Sequence, residues 1–285
     1  MAQIERGFVT IREGQVHYRR TAERRDGRTV WMVHASPASS TALVPLMREL
    51  GEHRTCIAPD TLGNGDSAPA SVAEPDIAHY AESSLRVMDR LGIVNADLYG
   101  SHTGAHIVME MAIQQPHRFG RMVLDGIGMF TATEKADMLQ NYAPAQKPDF
   151  FGSQFHWAWH FVRDQGWFFP YFHRDAAHLR GLNAPSSDSL HETTVEVLKS
   201  IRTYHLAYRA AFAHPDRERL PQVKIPTLIM ADDTDPLRVG VSAAAALLPG
   251  CRSTILRDSA TAAGQASKIE LLRTFLDSGD LPDFC

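Results

Sequence analysis

Residues 96–104 read Ala96-Asp97-Leu98-Tyr99-Gly100-Ser101-His102-Thr103-Gly104, a short strand pattern running into a Gly-x-x-x-Gly turn. An apolar helical pattern follows over Ala105–Gln114 and is stopped by Pro116. A strand-to-helix turn of this kind holds its central side chain exposed above a parallel sheet, with backbone N–H groups beside it. A serine at the apex would attack acyl groups; here the apex is His102. No histidine follows His214 in the 285 residues, so the general base that a serine triad draws from late in the chain is missing as well.

Working outward, strand-like runs recur at Phe8–Arg12, Gln15–Thr21, Thr29–His34, Thr55–Pro59, Asp97–Tyr99, Arg121–Asp125, Thr227–Ala231 and Ser253–Leu256, and helical patterns separate most of the later ones. Alternation of this kind predicts a mostly parallel sheet covered on both faces. Glu13-Gly14 between the first two runs is a hairpin signal and makes that edge antiparallel. Helices are expected over Thr41–Leu50 and Ile77–Leu91, the latter closed by Gly92. Between about Met129 and Pro221 the pattern becomes helical and aromatic, and Ile225-Pro226 restarts the sheet. The expected division is a core of residues 1–128 and 222–285 with a helical insertion over 129–221. Its aromatics, concentrated in Phe150–Phe172, suit both a small helical core and an apolar pocket.

Composition removes several function classes. With 29 basic and 33 acidic residues the net charge is −4, and no long basic run exists, so no nucleic-acid or membrane partner is expected. Arg19, Arg20, Arg24, Arg25 and Arg28 are read as a solvated hairpin edge. Cys56, Cys251 and Cys285 fit no metal or disulfide framework, and their number suits a reducing cytosol. Glu5 and Arg6 interrupt the N-terminus and no window reaches the length of a membrane span, so a cytoplasmic protein is expected, with no oligomeric state assigned.

Further motifs stand in order around the turn. His34-Ala35-Ser36-Pro37 follows the third strand, Asp60-Thr61-Leu62-Gly63-Asn64-Gly65-Asp66-Ser67 the fourth, and Thr227–Leu237, containing Asp232-Asp233-Thr234-Asp235-Pro236, spans the seventh and its loop. With the turn at His102 these resemble the α/β-hydrolase superfamily, in its capped branch similar to epoxide hydrolases and haloalkane dehalogenases. The resemblance covers nearly the whole chain. It implies an eight-stranded sheet with a helical cap after the sixth strand and no cofactor. It also implies that Ser36 and Thr103 lend backbone N–H groups to an oxyanion hole, and that Asp235 or Asp125 is the acid. The departures fall on the reacting groups: Ala35 replaces a glycine, His102 the nucleophile, and Arg257–Gly264 lacks the late imidazole. Ser101 should point away from the cleft, and Asp66 and Ser67 should brace their loop.

At a helix N-terminus the imidazole of His102 is expected to have a lowered pKa and to rest neutral. It would then be a general base for proton abstraction beside a carbonyl, in elimination or C–C cleavage of a small, largely apolar carbonyl or ester compound. Two alternatives remain: a hydrolase with His102 as nucleophile, and a non-catalytic ligand-binding protein. Trp157, Trp159, Trp167, Tyr204 and Tyr208 are candidate pocket residues. His102 and His106 have the i, i+4 spacing of zinc ligands, as do His156 and His160, but packing is the preferred reading and no metal is expected. His79, His117, His173, His178, His191 and His214 are read as surface or packing residues.

Overall fold

A computed structural model describes residues 1–24 and 27–284, so Arg25 of the cationic run and Cys285 lie outside the described residues. The strands are β1 (Ile4–Ile11), β2 (Gly14–Thr21), β3 (Thr29–Val33), β4 (Cys56–Pro59), β5 (Ala96–Ser101), β6 (Phe119–Asp125), β7 (Thr227–Asp232) and β8 (Arg252–Leu256). Among the described residues they form one eight-stranded sheet in the order β1-β2-β4-β3-β5-β6-β7-β8. β1, β2 and β4 pair antiparallel, and from β4 through β8 every pairing is parallel.

Two apolar layers cover the sheet because successive strand residues face opposite ways. Val30 and Met32 of β3 join Met47, Leu50, Leu271, Leu272 and Phe275. Trp31 and Val33 join Tyr80, Leu85, Ile107, Val108 and Met111 on the other face. The helices concerned are α1 (Val44–Leu50), α2 (Ile77–Arg90), α3 (Thr103–Gln114) and, later in the chain, α9 (Val241–Leu247) and α10 (Ala262–Ser278). Each fully buried Leu or Met there contributes roughly 1.5–3 kcal/mol. α4 (Ala132–Asn141), α5 (Ser153–Trp167), α6 (Ser187–Lys199), α7 (Tyr204–Ala213) and α8 (Asp216–Arg219) follow β6. Their segment builds a third cluster around Tyr142, Phe161, Tyr204 and Tyr208. Among the described residues no helix is long and apolar enough to cross a membrane.

Local chemistry explains where these elements depart from the sequence reading. The helix expected over Thr41–Leu50 is a 3₁₀ turn at Ser40–Leu43 followed by α1. Pro45 has no N–H to give a preceding carbonyl, so the α-helix begins around it. β1 starts four residues earlier than its apolar run, since pairing of Ile4 with Thr21 through Gly7 with Tyr18 carries polar residues along the edge. Arg19 turns inward, with Nη1 2.6 Å from Ser40 Oγ, instead of lying in solvent. Asp66 and Ser67 do brace their loop: Asp66 N–H donates to Asp60 Oδ2 at 3.0 Å, and Ser67 Oγ to the Asp60 carbonyl at 2.8 Å.

At the β5–α3 junction the strand, the turn and β3 crowd together. A Cβ on Gly104 would collide with the Val33 carbonyl, and one on Gly100 with the Gly104 carbonyl. Gly92, by contrast, has φ +71° with nothing within 4 Å. Gly104→Ala is therefore expected to lower stability by about 1–3 kcal/mol, the cost of overpacking, or more. Gly92→Ala should lose only the left-handed strain of about 1–2 kcal/mol. Urea unfolding of both variants checks the order, and a Gly104 variant as stable as wild type would contradict the tight crossing.

Candidate active site

The turn at the end of β5 forces His102 to φ 50° and ψ −113°, outside the ordinary regions for a side-chain-bearing residue. Backbone strain of this type costs on the order of 1–3 kcal/mol and persists only where the surroundings fix it. Here His102 N–H donates to the Asp125 carbonyl at 2.9 Å, and the His102 carbonyl accepts from Ala105 N–H at 2.8 Å. The imidazole is thereby lifted beyond the parallel strands, with 40% of its side chain accessible.

Asp235 meets it there. His102 Nε2 lies 2.6 Å from Asp235 Oδ2. Asp235 Oδ1 accepts from Leu237 N–H at 2.7 Å, which fixes the carboxylate on its loop. The contact needs a bare backbone beside it: a Cβ on Gly126 would lie 2.7 Å from His102 Nε2 and 2.9 Å from Asp235 Oδ2. Gly126 itself has φ +74°. Asp235 thus meets the apex imidazole directly.

The direction of the pKa shift is the reverse of the sequence expectation. Burial opposes a charged imidazole, yet the Asp235 carboxylate, through its charge and hydrogen bond, outweighs that and raises the pKa of His102 above the ordinary value. Reciprocally, burial works against the Asp235 carboxylate but His102 holds its pKa down. The helix N-terminus acts in the expected direction but is weaker than a carboxylate at hydrogen-bond distance.

Asp125 does not pair with His102. Its Oδ2 accepts from Tyr99 Oη at 2.6 Å and lies 2.9 Å from Lys268 Nζ, and the same ammonium lies 2.9 Å from Asp232 Oδ2. Burial disfavours the ammonium, but the facing Asp125 and Asp232 raise the pKa of Lys268 and keep it charged. Two cavities reach His102. One, about 450 Å³, lies under the helical segment and is walled by Ser36, His102, Thr103, Phe130, Tyr142, Arg180, Tyr208, Asp232 and Asp235. The other, about 880 Å³, opens between α1 and α10 and touches Tyr99, Ser101, His102, Asp125, Asp232 and Lys268. Ser101 therefore lines the second cavity and not the first.

Ser36 and Thr103 line the first cavity together, and Ser36 Oγ is buried without a partner. Of the candidate aromatics only Tyr208 is among its wall residues. Trp157 stacks on Phe161 at 4.8 Å and packs against Tyr204 at 5.0 Å. Tyr204 is fully buried and donates its hydroxyl to the Pro144 carbonyl. Trp167 lies under the Arg163 guanidinium, and Trp159 is 38% exposed. Trp157 and Tyr204 serve the helical segment's own packing, which aromatic density alone does not distinguish from a pocket.

The His102/His106 pair is split, because His106 Nδ1 turns to Asp216 Oδ1 at 2.6 Å. His214, read above as surface or packing, is buried and joins the same carboxylate at 2.7 Å and Glu110 at 3.1 Å. Burial opposes the Glu110 carboxylate, but Arg219 and His214 hold its pKa down at about 2. His106, His214 and Asp216 set donor atoms within 4.8 Å of one another, as do His17, Asp60 and Asp66. Their contacts have hydrogen-bond lengths, and Lys135 beside Asp216 already neutralises charge there. His156 and His160 are exposed. Arg180 was not singled out by the sequence. It donates from Nη1 to the Gln165 carbonyl at 2.6 Å and from Nη2 to the Thr234 carbonyl at 2.9 Å, with Nε buried and unpartnered.

Residues 28–249 match the family model described as alpha/beta hydrolase fold, and the chain belongs to that family. Among curated relatives, it is 35% identical over 124 residues to a 2-hydroxymuconate semialdehyde hydrolase of Pseudomonas sp. strain CF600, covering 42% of this chain and 44% of that protein. A 2-hydroxy-6-oxo-2,4-heptadienoate hydrolase of Pseudomonas putida is 34% identical over 124 residues, 42% of this chain and 45% of that protein. Each match spans less than half the length of the relative. Among solved structures, Cfl2 of Burkholderia cenocepacia superposes with a TM-score of 0.71 at 19% identity, covering 96% of both chains. The enol-lactonase of Burkholderia xenovorans LB400 gives 0.67 at 18% identity, covering 95% of this chain and 100% of that one.

If Asp235 sets the charge state of the apex imidazole, Asp235→Asn should move the titration midpoint of His102 to lower pH. ¹⁵N NMR of the imidazole reads this directly. An unchanged midpoint would contradict the assignment.

Proposed function

We propose that this chain is a cofactor-independent enzyme acting on a small, largely apolar carbonyl or ester compound, with His102 as general base and residues 129–221 as the lid over a core of 1–128 and 222–285. The observation that carries the reading is the 2.6 Å pairing of His102 with Asp235 at the wall of a cavity of about 450 Å³. Asp235 takes up one ring nitrogen, so the other is left for a substrate proton. Ser36 and Thr103 supply the backbone donors for the oxygen on which negative charge develops. Arg180 gives the cavity a positive wall, which suits a substrate carrying an acidic group.

Abstraction of a proton beside the carbonyl, with the enolate oxygen held by these donors, leads to elimination or C–C cleavage. The hydrolase names of the relatives favour a second reading, in which neutral His102 attacks an acyl group and water resolves the acyl-imidazole. Both need the unprotonated ring. Because the pKa of His102 is raised, kcat/KM should climb with pH through a midpoint above the ordinary histidine value. In Asp235→Asn that limb should move to lower pH.

A panel of β-acyloxy carbonyl compounds and activated aryl esters, run in ¹⁸O-labelled water, separates the readings. Expected is elimination without solvent oxygen in the product, reduced about 100- to 10,000-fold in His102→Ala. Solvent oxygen in the carboxylate product would support the hydrolytic reading instead. Turnover indifferent to His102→Ala would overturn both, and binding without turnover in wild type would favour a ligand-binding role.

A further inference from the structure

Two imidazoles line the first cavity, and the reading above uses only that of His102. His106 lies one helical turn beyond the apex on α3, three residues after Thr103 and on the same face, where neighbouring Cβ atoms stand about 5–6 Å apart. Side chains lean toward the N-terminus of their helix, which brings this ring back toward the turn. Its two nitrogens are placed differently. Nδ1 is fixed 2.6 Å from Asp216 Oδ1. Nε2 has no hydrogen-bond partner among the described residues, yet it is not sealed from solvent as the unpartnered Asp232 Oδ1 and Arg180 Nε are. Only 4% of His106 is accessible, and that remainder opens on the first cavity.

The neighbouring charges decide which nitrogen carries the proton. Asp216 Oδ1 also takes His214 Nδ1 at 2.7 Å, and His214 Nε2 lies 3.1 Å from Glu110 Oε1. Burial opposes a charged His214, but its hydrogen bonds to these two carboxylates outweigh that and raise its pKa. Lys135 Nζ stands 3.5 Å from Asp216 Oδ2, and Arg219 Nη2 donates to Glu110 Oε2 at 2.7 Å. Two carboxylates thus meet three cations before His106 is counted, so a fourth cation is disfavoured. The neutral His106 ring gives its one N–H to Asp216 and keeps its lone pair at Nε2.

We propose that His106 is a specificity-determining residue of this site, its Nε2 accepting a hydrogen bond from a hydroxyl that the carbonyl or ester substrate carries. The inference rests on the reading of this cavity as the substrate site. A hydroxyl suits a small, largely apolar compound, because it brings a donor with little bulk. Since Thr103 is both the neighbour of His106 and the source of an oxyanion N–H, the hydroxyl belongs on a carbon close to the carbonyl. A substrate without it displaces water from Nε2 and leaves a buried acceptor unpaired, which costs binding.

The test compares a β-acyloxy ketone bearing a hydroxyl on the carbon that flanks the carbonyl with the same ketone bearing hydrogen there, in wild type and His106→Asn. Asparagine keeps an N–H for Asp216 and removes the acceptor at the cavity. The kcat/KM ratio of hydroxy to deoxy compound is expected to be about tenfold or more higher in wild type than in His106→Asn. Equal ratios would overturn the proposal. A second arm, ¹⁵N NMR of the His106 ring in wild type with hydroxyacetone or acetone, reads Nε2 without turnover. At the pH of turnover the ring proton should sit on Nδ1 alone, and hydroxyacetone should shift Nε2 while acetone does not. A proton on Nε2, or equal responses to the two ketones, would overturn the proposal even if His106→Asn fails to fold. Failure of the base reading appears separately, as turnover that survives His102→Ala.

Discussion

The reversal at His102, φ 50° between Gly100 and Gly104, is the constraint from which the rest of this site follows. β5 passes so close to α3 that neither flanking position has room for a side chain, and the apex has nowhere to project but outward. The loop after β7 then sets Asp235 2.6 Å from the apex imidazole. The histidine there donates from Nε2 to the carboxylate that, by the family resemblance, would pair with an imidazole arriving after β8. Strain in the backbone and pairing in the side chain therefore fix each other.

Much of this was legible in residue order. The turn, the His34–Pro37 loop, the segment from Asp60 and the loop ending in Asp235 each belong to a strand end, and a parallel sheet gathers such ends at one edge. The pairing of His102 with Asp235 was less so, since Asp125 ends its own strand equally near the apex. Two ligands of Asp125 decide against it, Tyr99 and Lys268, and the second lies 143 positions further on in α10. A signal for Lys268 existed: it shares a helical face with the buried Leu271, Leu272 and Phe275, where a charge needs a partner.

What the sequence misjudged were directions and faces. Trp157 and Tyr204 lie in the aromatic stretch as conspicuously as Tyr208, and only packing tells which ring meets the cavity. For His106 packing was the preferred reading and it is buried, but its partner Asp216, 110 positions further on, had no local signal. The pKa of His102 depends on the sum of a helix terminus, burial and a carboxylate. Local position revealed only the first of these.

In the proposed reading the apex imidazole, paired with Asp235, takes the part of the imidazole that the family resemblance places after β8. That reading predicts a base that never becomes covalently linked to substrate. Rapid-quench intact-mass spectrometry during turnover of an activated β-acyloxy carbonyl compound tests this most directly. The account predicts an unmodified protein mass at every quench time; a transient acyl adduct mapping to His102 would contradict it.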